Sequence, residues 1–228
     1  MTRTTNARVA GFTFLFYIAV AFTGMVLSSR ATSGEGTAAK LAGIAQHASE
    51  MRVVIVLELL ECFCALVLAV TLYSITRDQD PDLAMLAMTC RVAEGVIGAV
   101  SLPRAVGKVW LATAAGADAP DPAAANALGA VLLKLPSWSM PISATFFAVG
   151  STLFAYLFLR GRMVPVALAW LGVLGSILAL VVLPLQLIGL LHSPITDIVW
   201  LPLLVFEVWL ALWLIIKGAA MPPRRQEA

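Results

Sequence analysis

The sequence predicts an all-α, polytopic membrane helix bundle, and three observations carry that prediction. Of 228 residues, 61% are hydrophobic and only 12% are charged, against about 45–50% and about 25% in soluble globular domains. The mean hydropathy is +0.93. Apolar stretches of the length that crosses about 30 Å of hydrocarbon recur along the chain. Such a chain has too little polar surface to coat a water-soluble particle, which excludes a cytosolic enzyme, a disordered chain and a disulfide-stapled secreted domain. A net charge of only +2 does not suit nucleic acid, whose partners carry clustered Lys and Arg. The expected partner is the lipid bilayer.

Six spans are expected. The first, Val9 to Ser29, is charge-free and bracketed by Arg8 and Arg30. It exceeds the apolar core of a signal peptide, so it is expected to be retained. The second, Val53 to Ile75, contains Glu58 and Glu61, and the third, Leu83 to Pro103, carries Arg91 and Glu94. Pro141 to Leu159 is a fourth. Met163 to Leu191 is a fifth, longer than required and with a kink expected at Pro184. Ile198 to Ile216 is the sixth, with Glu207 as its one charge. Together they read as a single six-helix transmembrane domain over residues 1–221, followed by a disordered cytoplasmic tail over 222–228.

Lys and Arg beside the spans favour the cytoplasmic face. Arg3, Arg8, Arg77, Arg160, Arg162, Lys217, Arg224 and Arg225 fall on one side; Arg30, Lys40, Arg52, Arg104, Lys108 and Lys134 fall on the other. Both termini are therefore expected in the cytoplasm. The turn Arg77-Asp-Gln-Asp-Pro-Asp82 makes spans two and three an antiparallel hairpin. Two outer connections are long enough for short interfacial helices. In one, Thr37 is expected to cap a helix carrying Leu41, Ile44, Ala48 and Met51 at helical spacing. In the other, the breakers of Gly116 to Pro122 precede Asn126 to Leu135, expected beside Trp138 at the membrane interface.

The charges inside the spans are the informative feature, because a central Arg or Asp costs roughly 2.5–3.5 kcal/mol on insertion scales and survives by facing the bundle interior. At a rise of about 1.5 Å per residue, Glu61, Glu94 and Glu207 all lie roughly 13–15 Å below the outer boundary, with Arg91 one turn from Glu94 on the same face. These four side chains are expected to form one buried cluster and to be candidate proton- or ligand-binding residues. Three acids beside one base predict that at least one carboxyl is protonated at neutral pH. Glu58 and Arg104 are secondary candidates, with Glu58 expected to pair with Arg104 or Arg52. The same groups also read as a salt bridge holding spans two, three and six in register.

Other signals are weak. Cys62, Cys64 and Cys90 read as core residues. His47, with Glu50 nearby, and His192 are outer-face metal candidates at most, so no metal and no cofactor is expected. No motif of a metalloprotease, α/β-hydrolase or phosphate loop occurs, the spans contain no Asp, and Ser143, Ser151 and Ser176 lack a His base. An enzyme is the least supported class. Small residues four apart, Gly172 with Ser176, Gly175 with Ala179 and Ala144 with Ala148, permit close helix contacts. Trp170, Trp200, Trp209 and Trp213 include interface anchors. Phe12, Phe14, Phe16, Tyr17, Phe146 and Phe147 read as packing or lipid-facing groups.

Short elements recur in order along the chain: Arg8-Val-Ala-Gly11, Met51-Arg52, Leu72-Tyr73, Leu83-Ala84, Arg91-Val-Ala-Glu94, Phe146-Phe147 with Gly150, Leu159-Arg160, and Glu207 with Trp213-Leu214 and Gly218. The set resembles the bacterial "domain of unknown function 4386" family of small multi-helix membrane proteins. That resemblance implies this architecture and a bacterial inner membrane, with Arg91 and Glu94 at its Arg-x-x-Glu position and Glu207 as its last-helix acid. It implies no activity. Two functional readings follow: a transporter or sensor whose cluster binds a proton or small ligand, or an accessory subunit of a membrane complex. A homodimer or a membrane-protein partner is compatible with either.

Overall fold

A computed structural model describes residues 2–116, 119–191 and 195–220. These residues form helices and no strand: α1 (Arg3–Ala31), α2 (Gly36–Gln46), α3 (Ala48–Thr76), α4 (Pro81–Thr113), α5 (Pro122–Lys134), α6 (Pro136–Arg160), α7 (Val166–Leu187), α8 (Ile195–Ile198) and α9 (Trp200–Ile216). Five stretches among them are long and apolar enough to cross a membrane: Arg3–Ala31, Ala48–Thr76, Pro81–Thr113, Pro122–Arg160 and Val166–Leu187. Trp200–Ile216 is apolar but shorter. These features are compatible with a multi-pass membrane protein. So is the exterior, where Phe12, Phe16, Val56, Val70 and Leu174 are exposed, a belt that water disfavours and lipid tails do not.

Local chemistry sets several helix ends. Thr2 accepts from the Thr5 N–H to cap α1. Asp80 accepts from the Leu83 N–H ahead of Pro81, and Asp121 accepts from the Ala123 and Ala124 N–H groups ahead of Pro122; both are acidic N-caps followed by a proline at the first helical position. The chain leaves α7 at Gly189, whose φ of 76° is the left-handed conformation that closes helices. The fifth apolar stretch is therefore shorter than Met163 to Leu191. Arg162 at φ 49° and the cap residue Pro165 hold its first residues in a turn.

Two sequence expectations change at the end of the bundle where α2 and α5 lie. α4 does not stop near Pro103 but continues to Thr113, with Ala105, Lys108, Val109 and Leu111 buried. An internal proline costs about 3 kcal/mol, and here the helix beyond it is held by α2 and α5, which pack on α4 and on each other. Lys108 is consequently buried rather than a free outer charge. Thr37 is not a cap: the cap position is Glu35, without a side-chain bond, and Ala48 and Met51 belong to α3. α2 and α5 meet where Gly129 faces Leu41, leaving 2.7 Å between the Leu41 Cδ1 and the position a Cβ would take.

The long helices close a ring. α1 packs on α3, α3 on α4, α4 on α6, α6 on α7, α7 on α9, and α9 back on α1. At one end of the ring Arg3 Nη1 lies 3.7 Å from Asp78 Oδ2, and Arg160 donates to Asp80 Oδ2 at 2.9 Å. The Ala220 N–H donates to the Met163 carbonyl there at 3.0 Å. The start of α1, the α3–α4 turn, the α6–α7 turn and residue 220 thus share one end. The main apolar core fills this half, with Phe14, Leu68, Leu72, Phe154, Phe158, Leu168 and Leu210. The ring tightens here because Gly11 of α1 leaves only 2.6 Å between its would-be Cβ and the Ala211 carbonyl oxygen of α9. The opposite half holds smaller cores and a cavity.

Candidate functional site

The cavity encloses about 730 Å³ between α1, α3, α4, α6 and α9. Glu61 of α3, Glu94 of α4 and Glu207 of α9 all line it, as do Glu58 and Arg104. Side chains of three separate helices thus line one open-sided cavity. Close helix approach makes this geometry. Gly95 brings α4 against α3, with 3.1 Å between its would-be Cβ and the Cys62 carbonyl oxygen. Glu61 points across to α1, where the missing side chain of buried Gly24 leaves its Oε1 3.9 Å from the corresponding Cβ position.

Arg91 lies behind the cavity wall and is 1% exposed. Its Nη1 approaches Glu94 Oε2 to 3.0 Å, within one helix at a spacing of three residues. The contact is an ion pair without hydrogen-bond alignment, and no guanidinium nitrogen of Arg91 has an aligned acceptor among the described residues. The guanidinium also sits 4.8 Å above the Phe147 ring of α6, a cation–π contact. Gly150, one turn along α6, makes room for it: a Cβ there would meet Arg91 Cγ at 3.1 Å. Because Arg91 and Glu94 share α4, their pairing does not by itself fix one helix against another.

The other oxygen, Glu94 Oε1, accepts from the Tyr17 hydroxyl of α1 at 3.3 Å, and the Ser143 hydroxyl of α6 donates to the Glu94 backbone carbonyl at 3.1 Å. In the sequence alone Tyr17 and Phe147 read as packing or lipid-facing aromatics, and Ser143 as a serine without a His base. A signal for Tyr17 was present, since a phenol at mid-span needs a hydrogen-bond partner that a phenylalanine does not.

Glu207 differs from Glu94. It is 8% exposed, lines the cavity, and its Oε1 is buried with no hydrogen-bond partner among the described residues. Glu61 also makes no ion pair within 4 Å there. Glu58 accompanies Arg104 in the lining but forms no salt bridge with Arg104 or Arg52 among the described residues. Arg52 is exposed. Three lining carboxyl groups, Glu58, Glu61 and Glu207, thus make no ion pair among the described residues, while the guanidinium nearest the deep end, Arg91, is occupied by Glu94 and the lining Arg104 lies roughly 15 Å along α4 from Glu94. Such a wall favours a positively charged or proton-bearing occupant.

The remaining candidates are not brought to this site. His47 Nδ1 lies 3.2 Å from Glu50 Oε1 at the α2–α3 junction, and no group of three metal-ligating side chains occurs among the described residues. His192, Arg224, Arg225 and the tail from Pro222 lie outside the described residues. The three cysteines are free; Cys64 and Cys90 are buried, and Cys62 lines the cavity with its thiol donating to the Glu58 carbonyl at 3.2 Å.

Residues 9–218 match the model of a family described as Domain of unknown function (DUF4386). No curated protein and no solved structure matches the chain.

Proposed function

The chain belongs to that family, whose description assigns no activity, and from this premise we propose an integral membrane protein that binds a proton or small cation in its interhelical cavity, as a transporter or sensor. The observation that carries this reading is Glu207, a nine-tenths-buried carboxyl side chain in the lining of a cavity that Glu61 and Glu94 also line, with its Oε1 left without a hydrogen-bond partner among the described residues. Burying such a group costs several kcal/mol unless something compensates it, and a bound cation or proton does so.

In this reading α9 is a sixth span. Its 17 residues reach about 26 Å, close to the hydrocarbon thickness of about 30 Å. They also return the chain to the end where α1 begins, which an even number of crossings requires. Arg3, Arg77 and Arg160 gather at that end, so the positive-inside tendency puts both termini in the cytoplasm of a bacterial inner-membrane protein. The accessory-subunit reading has less support, because the Arg91–Glu94 pair lies within one helix.

Tetramethylammonium, a permanently charged probe, tests the site. Binding to the purified protein in lipid nanodiscs is expected to be saturable and at least 10-fold weaker in Glu207→Gln. Equal affinity in both proteins, or binding in neither, removes the reading. Uptake of the same probe into proteoliposomes then separates a carrier from a sensor.

A further inference from the structure

The cavity has two unlike ends. At its deep end are Tyr17, Glu94 and Glu207, all remote from solvent and lipid compared with the rim. At its rim, the lining residues Phe22 and Met25 of α1, Met140 of α6 and Leu201 of α9 are 46%, 59%, 54% and 64% exposed. A residue that both lines a cavity and is exposed marks its mouth, and none of these four is charged. Three of them lie on α1 and α9, so the mouth opens sideways between those helices as well as beside Met140. α1 and α9 touch at Gly11 and Ala211, and Phe22 lies roughly 16 Å further along α1 while Leu201 lies roughly 15 Å back along α9. Met25 is also about 8 Å short of Arg30, so the α1–α9 part of the gap reaches hydrocarbon depth.

Building on the cation-site reading, we infer that the occupant is an amphiphilic organic cation that enters from the bilayer between α1 and α9, its ammonium head against Glu207 and its apolar body in the Phe22–Met25–Leu201 mouth. A small hydrated ion needs no apolar side entrance, and a neutral lipid tail needs no unpaired carboxylate at the far end. The head also meets aromatic faces, because Tyr17, Phe147 and Trp200 line the same space, and such faces attract ammonium groups. An anionic amphiphile would meet Glu207 and Glu61 at the deep end, where the Arg91 guanidinium stays behind the wall, paired with Glu94; the basic side chain that does line the cavity, Arg104, lies roughly 15 Å along α4 from Glu94.

Decyltrimethylammonium and tetramethylammonium share a head and differ in the tail, so their comparison in nanodiscs isolates the mouth. Each buried methylene is worth about 0.8 kcal/mol, about 4-fold in affinity. The decyl compound is therefore expected to bind at least 10-fold tighter than the short one, saturably and with the same loss in Glu207→Gln. Met25→Trp/Leu201→Trp fills the mouth and is expected to weaken decyltrimethylammonium more than tetramethylammonium binding, which abolishes the decyl advantage. Equal affinity of the two probes for the wild-type protein overturns the lateral-entry inference while leaving the cation site standing, and this comparison does not depend on the double variant folding. A decyl advantage that survives in a folded double variant overturns it too. Glu207-dependent binding of decyl sulfate overturns the charge assignment. Loss of both cations' Glu207 dependence removes the underlying site reading itself.

Discussion

Arg91 shows most directly how single side chains set this interior. Its guanidinium is 1% exposed, lies 3.0 Å from Glu94 and rests on Phe147. Removing one partner of a buried ion pair costs about 3–5 kcal/mol, because the other charge is left uncompensated. Arg91→Ala is expected to lose stability on that scale in thermal unfolding of the detergent-solubilised protein. The double variant Arg91→Met/Glu94→Gln is expected to recover much of the loss, since replacing both charges by groups of similar volume is often close to neutral. A single variant as stable as wild type would show that the pair contributes nothing. The need for such a pair was legible in the sequence, because an arginine and a glutamate one turn apart at mid-span have few other arrangements. The Tyr17 hydroxyl and the Phe147 ring were not, because an aromatic residue reads the same whether it faces lipid, core or a charge.

Helices meet through features that are short in sequence. At the α3–α4 turn, Asp80 caps α4 and also accepts from Arg160 of the α6–α7 turn at 2.9 Å. The Leu83 amide above all holds its carboxyl below the usual carboxylate range; partial burial works against this, and Arg160 adds to it. A lowered folded-state value means that the stabilising contribution is fully present above the ordinary aspartate value of about 3.9. It fades as pH falls through the lowered value. Asp80→Asn keeps the cap oxygen and removes the charge, so wild type is expected to melt above the variant at pH 5 to 7. The gap should close as the solution is made more acidic than about pH 4. A gap independent of pH would place the effect elsewhere. The cap itself was not foreseen at Asp80, although the polar turn was. The continuation of α4 past Pro103 was illegible for a different reason: local propensity ends a helix there, and only packing against α2 and α5, distant in sequence, holds the next turns. The small residues Gly11, Gly24, Gly95 and Gly150 likewise announce close approach but not which helix approaches.

At the scale of the whole molecule, a closed ring of six helices is dense at one end and hollow at the other. The dense half follows from the apolar faces of α1, α3, α6, α7 and α9 meeting around Phe14, Phe158 and Leu210. The hollow half holds the acidic side chains. That the charged groups share a level was legible from counting along separate spans. That they share a cavity with an apolar side mouth was not, because helix order around a ring and helix splay are properties of packing. The central claim is that Glu207 lines a cavity open to a cation rather than a sealed core. It is tested most directly at Cys62, a native free thiol in the same lining, with Glu207 kept and Cys64 and Cys90 replaced by Ser, treated in membranes with a small cationic methanethiosulfonate. Modification is expected, and decyltrimethylammonium is expected to slow it at least 10-fold. A thiol at this position that stays unmodified in the folded protein, or that reacts at the same rate with and without the amphiphile, would contradict the claim.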